Sequence, residues 1–309
     1  MSRLTDLVAA ELGAPVEPRV AAFAADIAGQ YGAASRAVLF YGSCLRSDRL
    51  EGEMLDFYLI VSDYRAAYGR SWLAVANRLI PPNVFPSGHD GLQAKIAVLS
   101  EGDFARLASS RTRGVSVWAR FAQPARLVWA ADEAARTKAV DGVAQAAPAL
   151  LKAARPMVGD RIGRRELWRQ AFDLTYSAEL RAERSGRSRS VVDTDPERYE
   201  RFTLPALAEA GIAAEPDGEG SLVFADGLTS RARRAGKRAW RRRRIEGKLL
   251  TLLRLAKASA TYAGGVDYLV WKINRHAGTN IEVRDWQRRW PLLGALVLLP
   301  RLWLRGAVR

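Results

Sequence analysis

Three short apolar segments in the N-terminal third place the tightest limit on how this chain can fold. They are Arg36–Phe40 (RAVLF), Leu55–Val61 (LDFYLIV) and Ala94–Ser100 (AKIAVLS). Each has five to seven residues, many of them β-branched or aromatic, and each is bounded by residues that favour turns. This pattern is typical of buried strands. We therefore predict a small sheet packed against helices, which is an α/β arrangement.

Helical spacing of apolar residues surrounds the predicted strands. Residues 1–36 predict one or two helices, and Tyr68–Leu79 predicts another between the second and third strands. The segment Pro81–Gly91 is rich in Pro, Gly and Asn, so it predicts a loop. From about Val128 to Arg184 the pattern is helical, and Ser185–Asp195 interrupts it.

The length of 309 residues suits two or three domains. We predict an α/β domain over 1–135 and a mainly helical domain over 136–230, in which Ser221–Phe224 is a strand candidate. The remaining region, 231–309, is basic and amphipathic, and we expect it to be helical and to face a membrane.

Charge narrows the class of partner. The chain has 48 Lys and Arg against 33 Asp and Glu, a formal net charge of +15, so an anionic partner is expected. Nine of the basic residues lie within Arg231–Arg244, which is either a solvated linker or a nucleic-acid-binding segment. Lys248–Ala263 predicts a helix. One cysteine and two histidines exclude a disulfide framework and a metal centre rich in Cys or His.

The segment Leu39–Asp63 carries the strongest chemical signal. A strand ends in Gly42 and Ser43, a loop follows, and the next strand carries Asp56. This layout resembles the nucleotidyltransferase fold. Glycine lets a backbone N–H approach a phosphate, the serine hydroxyl can bond the terminal phosphates of a nucleoside triphosphate, and Arg46 can add charge. We predict that Asp56 binds Mg²⁺, which would bridge those phosphates.

One position departs from that layout. A second carboxylate usually follows the first by two residues on the same strand face, and here that position is Tyr58. Two-metal chemistry therefore needs another acid, and the candidates are Asp48, Asp63, Glu101 and Asp103. The last two lie at the end of a predicted strand, where acids more often form a turn or a helix cap. Cys44 is interpreted as a small buried residue of the turn rather than as a nucleophile.

The same departure points to a narrower resemblance. The chain resembles the translocator assembly and maintenance family of phosphatidate cytidylyltransferases, whose members carry a Tyr-Gly-Ser turn, matched here by Tyr41, Gly42 and Ser43. Their strand with Asp but no second acid is matched by Asp56. Further matches are the segment Asn77–Phe85, the strand that bears Lys95, and the segment ARFAQPARL, which contains Arg120 and Pro124.

The resemblance resumes near the C-terminus, so it covers about 37–127 and 248–278. The later block contains Arg254 and Lys257, followed by Tyr268 and Lys272. In the weakly matched middle, the family architecture implies a winged-helix-like domain.

This resemblance implies transfer of CMP from CTP to phosphatidate, which gives CDP-diacylglycerol and pyrophosphate, with Mg²⁺ as cofactor. It implies that Asp56 and Ser43 are catalytic and that Asp56 is the metal ligand. The implied roles of the other residues fall into two sets. Nucleotide binding is assigned to Tyr41, Gly42, Ser43, Arg46, Lys95 and Arg120, and phosphatidate binding to Lys257, Tyr268 and Lys272.

The C-terminal tail suits a lipid substrate. Trp286, Trp290 and Trp303 flank the apolar segment PLLGALVLL, and arginines surround it. This composition is typical of a helix that lies in a membrane interface, although the segment could instead pack on the protein. We expect a peripheral protein on the cytoplasmic face of the inner membrane, and we do not expect nucleic acid as partner.

Two alternatives remain open. The first is another nucleotidyltransferase, which acts on RNA or on a small molecule. The second is a non-catalytic protein that binds RNA or membranes through a degenerate domain, which Tyr58 would permit.

Overall fold

Five strands form one mixed sheet in the N-terminal part of the chain. The computed structural model describes residues 2–47, 49–179, 187–218, 220–225 and 227–261. The strands are β1 (Ser35–Tyr41), β2 (Met54–Val61), β3 (Asn83–His89), β4 (Leu92–Ser100) and β5 (Ala125–Ala130). Their order is β3-β4-β2-β1-β5, with β2 parallel to β4 and the other pairs antiparallel. The three predicted strands are confirmed as β1, β2 and β4, and the fold is mixed α/β.

Both edges of the sheet differ from the prediction. The predicted loop Pro81–Gly91 contains β3, which is an edge strand, so Pro86 can lie within it without breaking a ladder on its free side. At the other edge, the helical pattern assigned from Val128 onward is wrong as far as Ala130, because these residues complete β5 and pair with β1.

Thirteen α-helices lie within the described ranges. They are α1 (Arg3–Leu12), α2 (Pro18–Tyr31), α3 (Ser43–Ser47), α4 (Tyr64–Tyr68), α5 (Ser71–Leu79), α6 (Glu101–Leu107), α7 (Ser116–Phe121), α8 (Glu133–Ala144), α9 (Ala146–Ala154), α10 (Arg164–Ser177), α11 (Arg187–Thr194), α12 (Pro196–Glu209) and α13 (Ser230–Thr261). The predicted helix over Tyr68–Leu79 is divided at Gly69, whose positive φ of 57° ends α4 before α5 begins.

Helices cover both faces of the sheet, which explains why its central strands β1, β2 and β4 are mostly apolar. Alternate side chains of β2 point to opposite faces. Phe57 and Leu59 join a buried cluster with α2, whereas Tyr58 and Ile60 join a second cluster with α1, α6 and α7. Asp56 has the same parity as Tyr58, so both side chains lie on the second face.

The second cluster continues into the middle of the chain. Trp168 and Phe172 of α10 and Tyr199 of α12 belong to it, and the Trp168 indole N–H donates to the Tyr199 carbonyl. Three short strands lie beside these helices: β6 (Arg161–Gly163), β7 (Ala214–Pro216) and β8 (Ser221–Phe224), in the order β6-β8-β7. The strand candidate is confirmed as β8, while the predicted domain boundaries stay predictions.

The later part of the chain departs from the prediction at one segment and agrees with the expected helix at another. The predicted interruption Ser185–Asp195 contains α11, whose Val191 and Val192 are buried in the core. The basic segment Arg231–Arg244 is part of the long helix α13, which Trp240 anchors by donating a hydrogen bond to the Ala153 carbonyl at 2.8 Å. The region 262–309, with its tryptophan-flanked apolar segment, lies outside the described residues.

Candidate active site

The turn after β1 brings Gly42 against Asp56. Tyr41 is paired with Asp56 across β1 and β2, and the chain then turns at Gly42, whose φ is 99°. A Cβ atom added to Gly42 would lie 2.8 Å from a carboxylate oxygen of Asp56. Glycine is therefore required at this position for two reasons. Its φ is positive, and the Asp56 carboxylate occupies the space that a Cβ atom would fill.

Substitution of Gly42 by alanine should destabilise the protein more than the same change at Gly52. Both glycines have positive φ, 99° and 71°, but nothing lies within 4 Å of a Cβ atom added to Gly52. Backbone strain alone predicts a loss of about 1–2 kcal/mol for Gly52→Ala. Gly42→Ala adds the clash with Asp56, so urea unfolding should show a larger loss. Equal losses in the free energy of unfolding of the two variants would mean that the Asp56 carboxylate does not contact this turn.

A pocket of about 240 Å³ opens over Asp56 and is lined by four cations. These are Lys95, Arg120, Arg254 and Lys257. Lys95 lies directly beside Asp56 because β2 and β4 are parallel and in register at these two residues. Asp56 is the one carboxylate among the lining residues, so positive charge exceeds negative charge here.

Helix α13 supplies two of the four cations from far along the chain. The Arg254 guanidinium donates to the Pro81 carbonyl at 2.8 Å and to the Ser116 hydroxyl at 2.9 Å. The Lys257 ammonium donates to the Pro82 carbonyl at 2.8 Å and to the carbonyl of Ile80. The residues that follow α5 therefore tie the end of α13 to the rim of the pocket.

Burial changes the acid–base properties of these side chains. It lowers the pKa of Lys257 to about 7, and the neighbouring Arg254 charge adds to this effect. Burial also opposes the charge on Arg120, but the Glu179 carboxylate and nearby tyrosines outweigh it, so the pKa of Arg120 is raised. The pocket is thus a partly dehydrated cationic site, where an anion interacts more strongly than in water.

The structure brings several of the predicted site residues together. Tyr41, Asp56, Lys95, Arg120 and Lys257 line the pocket, and Gly42 abuts Asp56.

Other predicted site residues lie elsewhere. Ser43 is exposed at the start of α3, and Arg46 donates to the Gln123 side chain at 3.3 Å; neither lines the pocket. Tyr268 and Lys272 lie outside the described residues.

The acids proposed as a second carboxylate have other roles. Asp63 caps α4 by accepting from the backbone N–H groups of Arg65 and Ala66. Glu101 forms ion pairs with Arg36 and Lys138, and Asp103 accepts a hydrogen bond from the Tyr64 hydroxyl; none of the three lines the pocket. Asp48 lies outside the described residues.

Sequence reasoning missed Glu179, which follows α10. Its carboxylate lies 3.7 Å from the Arg120 guanidinium, and its side chain is 10% exposed. Nothing in the local sequence marks it, because it lies 59 positions from Arg120 in a segment with several other charged residues. It forms an ion pair with Arg120 but does not line the pocket.

The donor set fits one magnesium ion better than two. Mg²⁺ is commonly held by one or two carboxylates together with substrate phosphates, and Asp56 can supply the protein ligand. Among the described residues, no three Cys, His, Asp or Glu side chains form a metal-binding group. Tyr58, whose pKa burial raises, occupies the place of a second carboxylate. Cys44 is buried, as predicted, and lies in α3 rather than in the turn.

Comparisons with known proteins give little further identification. No protein-family model and no curated protein matches the chain. Among solved structures, a nucleotidyltransferase-like protein from Exiguobacterium sibiricum is similar, with 9% identity over 94% of this chain and 91% of that one. The TM-score is 0.27, so the match is too distant to assign an activity.

Within the described ranges, none of the helices combines the length and the hydropathy that a membrane span requires.

Proposed function

We propose that this protein is a nucleotidyltransferase that transfers CMP from CTP to phosphatidate, which yields CDP-diacylglycerol and pyrophosphate. The observation that carries the proposal is the pocket in which Asp56 rests on the Gly42 turn and faces four cations. A carboxylate among several cations suits a triphosphate that arrives with Mg²⁺. The resemblance of the sequence around Asp56 to phosphatidate cytidylyltransferases supplies the specific substrates.

The proposed reaction needs positioning and charge neutralisation more than proton transfer. A phosphate oxygen of phosphatidate attacks the α-phosphorus of CTP, and the bond from that phosphorus to the bridging oxygen breaks, so pyrophosphate leaves. The nucleophile is already an anion, so no strong general base is required. Lys95, Arg120 and Arg254 would neutralise the phosphates, which otherwise repel one another. Asp56 would hold Mg²⁺, which offsets charge on the leaving pyrophosphate.

The number of cations favours two phosphate-bearing substrates over one. Lys257 and Arg254 are placed at the pocket by α13, whereas Lys95 comes from the sheet and Arg120 from α7. We assign Lys95 and Arg120 to the nucleotide and Lys257 to the phosphatidate head group. Tyr268 and Lys272 are also assigned to phosphatidate, on the resemblance alone.

Product analysis tests the proposal and separates it from its alternatives. The full chain is mixed with Mg²⁺, each labelled nucleoside triphosphate in turn, and phosphatidylcholine vesicles with or without phosphatidate. We expect labelled CDP-diacylglycerol only with CTP and phosphatidate. Turnover that does not need phosphatidate would favour a nucleotidyltransferase acting on RNA or a small molecule. Absence of Mg·CTP binding by calorimetry would favour a non-catalytic protein.

The depressed pKa of Lys257 predicts a pH-dependent contribution to binding of the phosphatidate head group. Its ammonium has a pKa of about 7, well below the ordinary value for lysine, so the charge is present below that pH and lost above it. The arginines of the pocket stay charged throughout. The affinity advantage of the wild type over Lys257→Met for a short-chain, water-soluble phosphatidate should therefore shrink between about pH 6 and about pH 8.5.

Calorimetry of both proteins at each pH measures this advantage. Because titration of the phosphatidate phosphate affects both proteins equally, the ratio of the two affinities isolates the contribution of Lys257. A ratio that does not change with pH would show that Lys257 does not titrate in this interval or does not contact phosphatidate.

A further inference from the structure

Helix α5 presents an apolar stripe to solvent. Trp72, Val75 and Leu79 recur at spacings of three and four residues, so they lie on one side of the helix. Their exposed fractions run from 50% to 73%, whereas a surface helix normally buries such a face. The surrounding segment 64–82 contains three arginines and no acid.

Helix α13 carries a second apolar stripe. Ile245, Leu249 and Leu253 are each four residues apart, and their exposed fractions run from 43% to 62%. The helix contains twelve Lys or Arg against the single acid Glu246. Among the described residues, one other large hydrophobic side chain is exposed, Val223 on β8. The exposed apolar side chains are therefore concentrated on two basic segments.

Both stripes adjoin the rim of the pocket. Leu79 ends α5 and is followed by Ile80, Pro81 and Pro82, whose carbonyls accept hydrogen bonds from the end of α13. Leu253 immediately precedes Arg254, which donates one of these bonds. A binding partner that covers the ends of the two stripes would therefore lie next to the pocket.

We infer that the α5 and α13 stripes form one docking surface for an anionic phospholipid bilayer, with the pocket beside it. Aliphatic side chains, a tryptophan and surrounding arginines are the combination that enters a membrane interface, and each basic residue near an anionic surface adds to the attraction. RNA is a poorer fit, because single-stranded bases stack on aromatic side chains and Trp72 is the one aromatic residue of the six. Delivery of phosphatidate from this surface to the pocket rests on the proposed function.

Site-specific labelling tests where the bilayer touches the protein. The chain has one cysteine, Cys44, which is buried, so Leu79→Cys and Leu249→Cys can each carry a single polarity-sensitive dye. Val223→Cys is the matched control, since its side chain is exposed but lies on neither helix. With phosphatidylcholine vesicles that contain phosphatidylglycerol, dyes at 79 and 249 should shift to the blue and the dye at 223 should not. The wild type, treated with the same dye, should give no signal.

A second measurement gives the size of the effect. Val75→Gln/Leu79→Gln should lower the partition coefficient onto these vesicles by about tenfold or more, because two aliphatic side chains no longer leave water. Val223→Gln should not change it. Both changes are at exposed positions, and equal thermal unfolding would confirm intact folds. Co-sedimentation without a dye shift at 79 and 249, or a shift produced by an RNA oligonucleotide and not by vesicles, would overturn the inference.

Failure of the docking surface can be told apart from failure of the proposed function. Phosphatidylglycerol vesicles contain no phosphatidate, so the dye measurement does not depend on catalysis. Turnover of a short-chain, water-soluble phosphatidate does not require a bilayer, so Val75→Gln/Leu79→Gln should retain it. Soluble turnover without a dye shift would overturn the docking surface alone, whereas a dye shift without Mg·CTP binding would overturn the proposed function alone.

Discussion

Substitution of Asp56 by asparagine should reduce transfer of CMP to phosphatidate by about a thousandfold or more. Asparagine keeps the size of the side chain and so keeps the contact with Gly42, but it removes the negative charge that the proposed metal requires. The loss should appear mainly in the maximal rate at saturating substrate. Single-turnover measurement of labelled CDP-diacylglycerol, with CTP and Mg²⁺ in excess, gives this rate directly.

Asp63→Asn is the matched control for this measurement. Asp63 is also an aspartate near β2, but it caps α4 through backbone N–H groups and does not line the pocket. Asparagine is a good capping residue, so activity should remain close to that of the wild type. Near-normal turnover by Asp56→Asn would contradict the proposed mechanism, as would an equal loss in both variants.

Substitution of Glu11 by glutamine should lower the free energy of unfolding by about 3–5 kcal/mol, because it leaves a buried arginine without its counter-charge. Arg198 of α12 is 2% exposed and forms two side-chain hydrogen bonds to the Glu11 carboxylate at the end of α1. It also donates to the Ala122 carbonyl at 3.0 Å, so it cannot turn outward without losing that bond. Urea unfolding of the full chain measures the loss.

Glu17→Gln provides the comparison for Glu11→Gln. Glu17 pairs with Arg19 at 3.0 Å, but both side chains are about 40% exposed, so water replaces the lost partner and little change is expected. A small effect at both positions would show that Arg198 is solvated in solution. A single cooperative transition in the wild type would also indicate that α1 and α12 unfold together, although they lie on opposite sides of the predicted boundary at residue 135.

The central strands and the acidic residue of the pocket could be predicted because their signals are local. β1, β2 and β4 are buried on both faces, so each forms an uninterrupted apolar segment. The edge strand β3 contains Pro86 and Gly88 and has few buried side chains, so its composition matches that of a loop. β5 follows Pro124 directly and is half-buried. Its six residues are therefore not distinguished, in the sequence alone, from the helical pattern that follows them.

The complete pocket could not be predicted from local patterns, because its members meet only through tertiary packing. Asp56 and Lys95 lie on strands that the sequence identifies, and their register places them side by side. Arg254 reaches the pocket because α13 ends against the carbonyls after α5, which no periodicity reveals. Glu179 approaches Arg120 from the middle of the chain, and neither residue has a local pattern that indicates the other.

The length of α13 has a practical consequence for deletion experiments. This one helix runs for 32 residues, about 48 Å at the usual rise per residue, and its distal turns deliver Arg254 and Lys257. A shortened protein that ends just before residue 254 would thus keep the arginine-rich stretch Arg231–Arg244 but lose half of the cations around Asp56. Loss of turnover after such a truncation would therefore not report on membrane binding. Substitutions of single side chains before Arg254 are needed to separate a role in membrane binding from a role in the pocket.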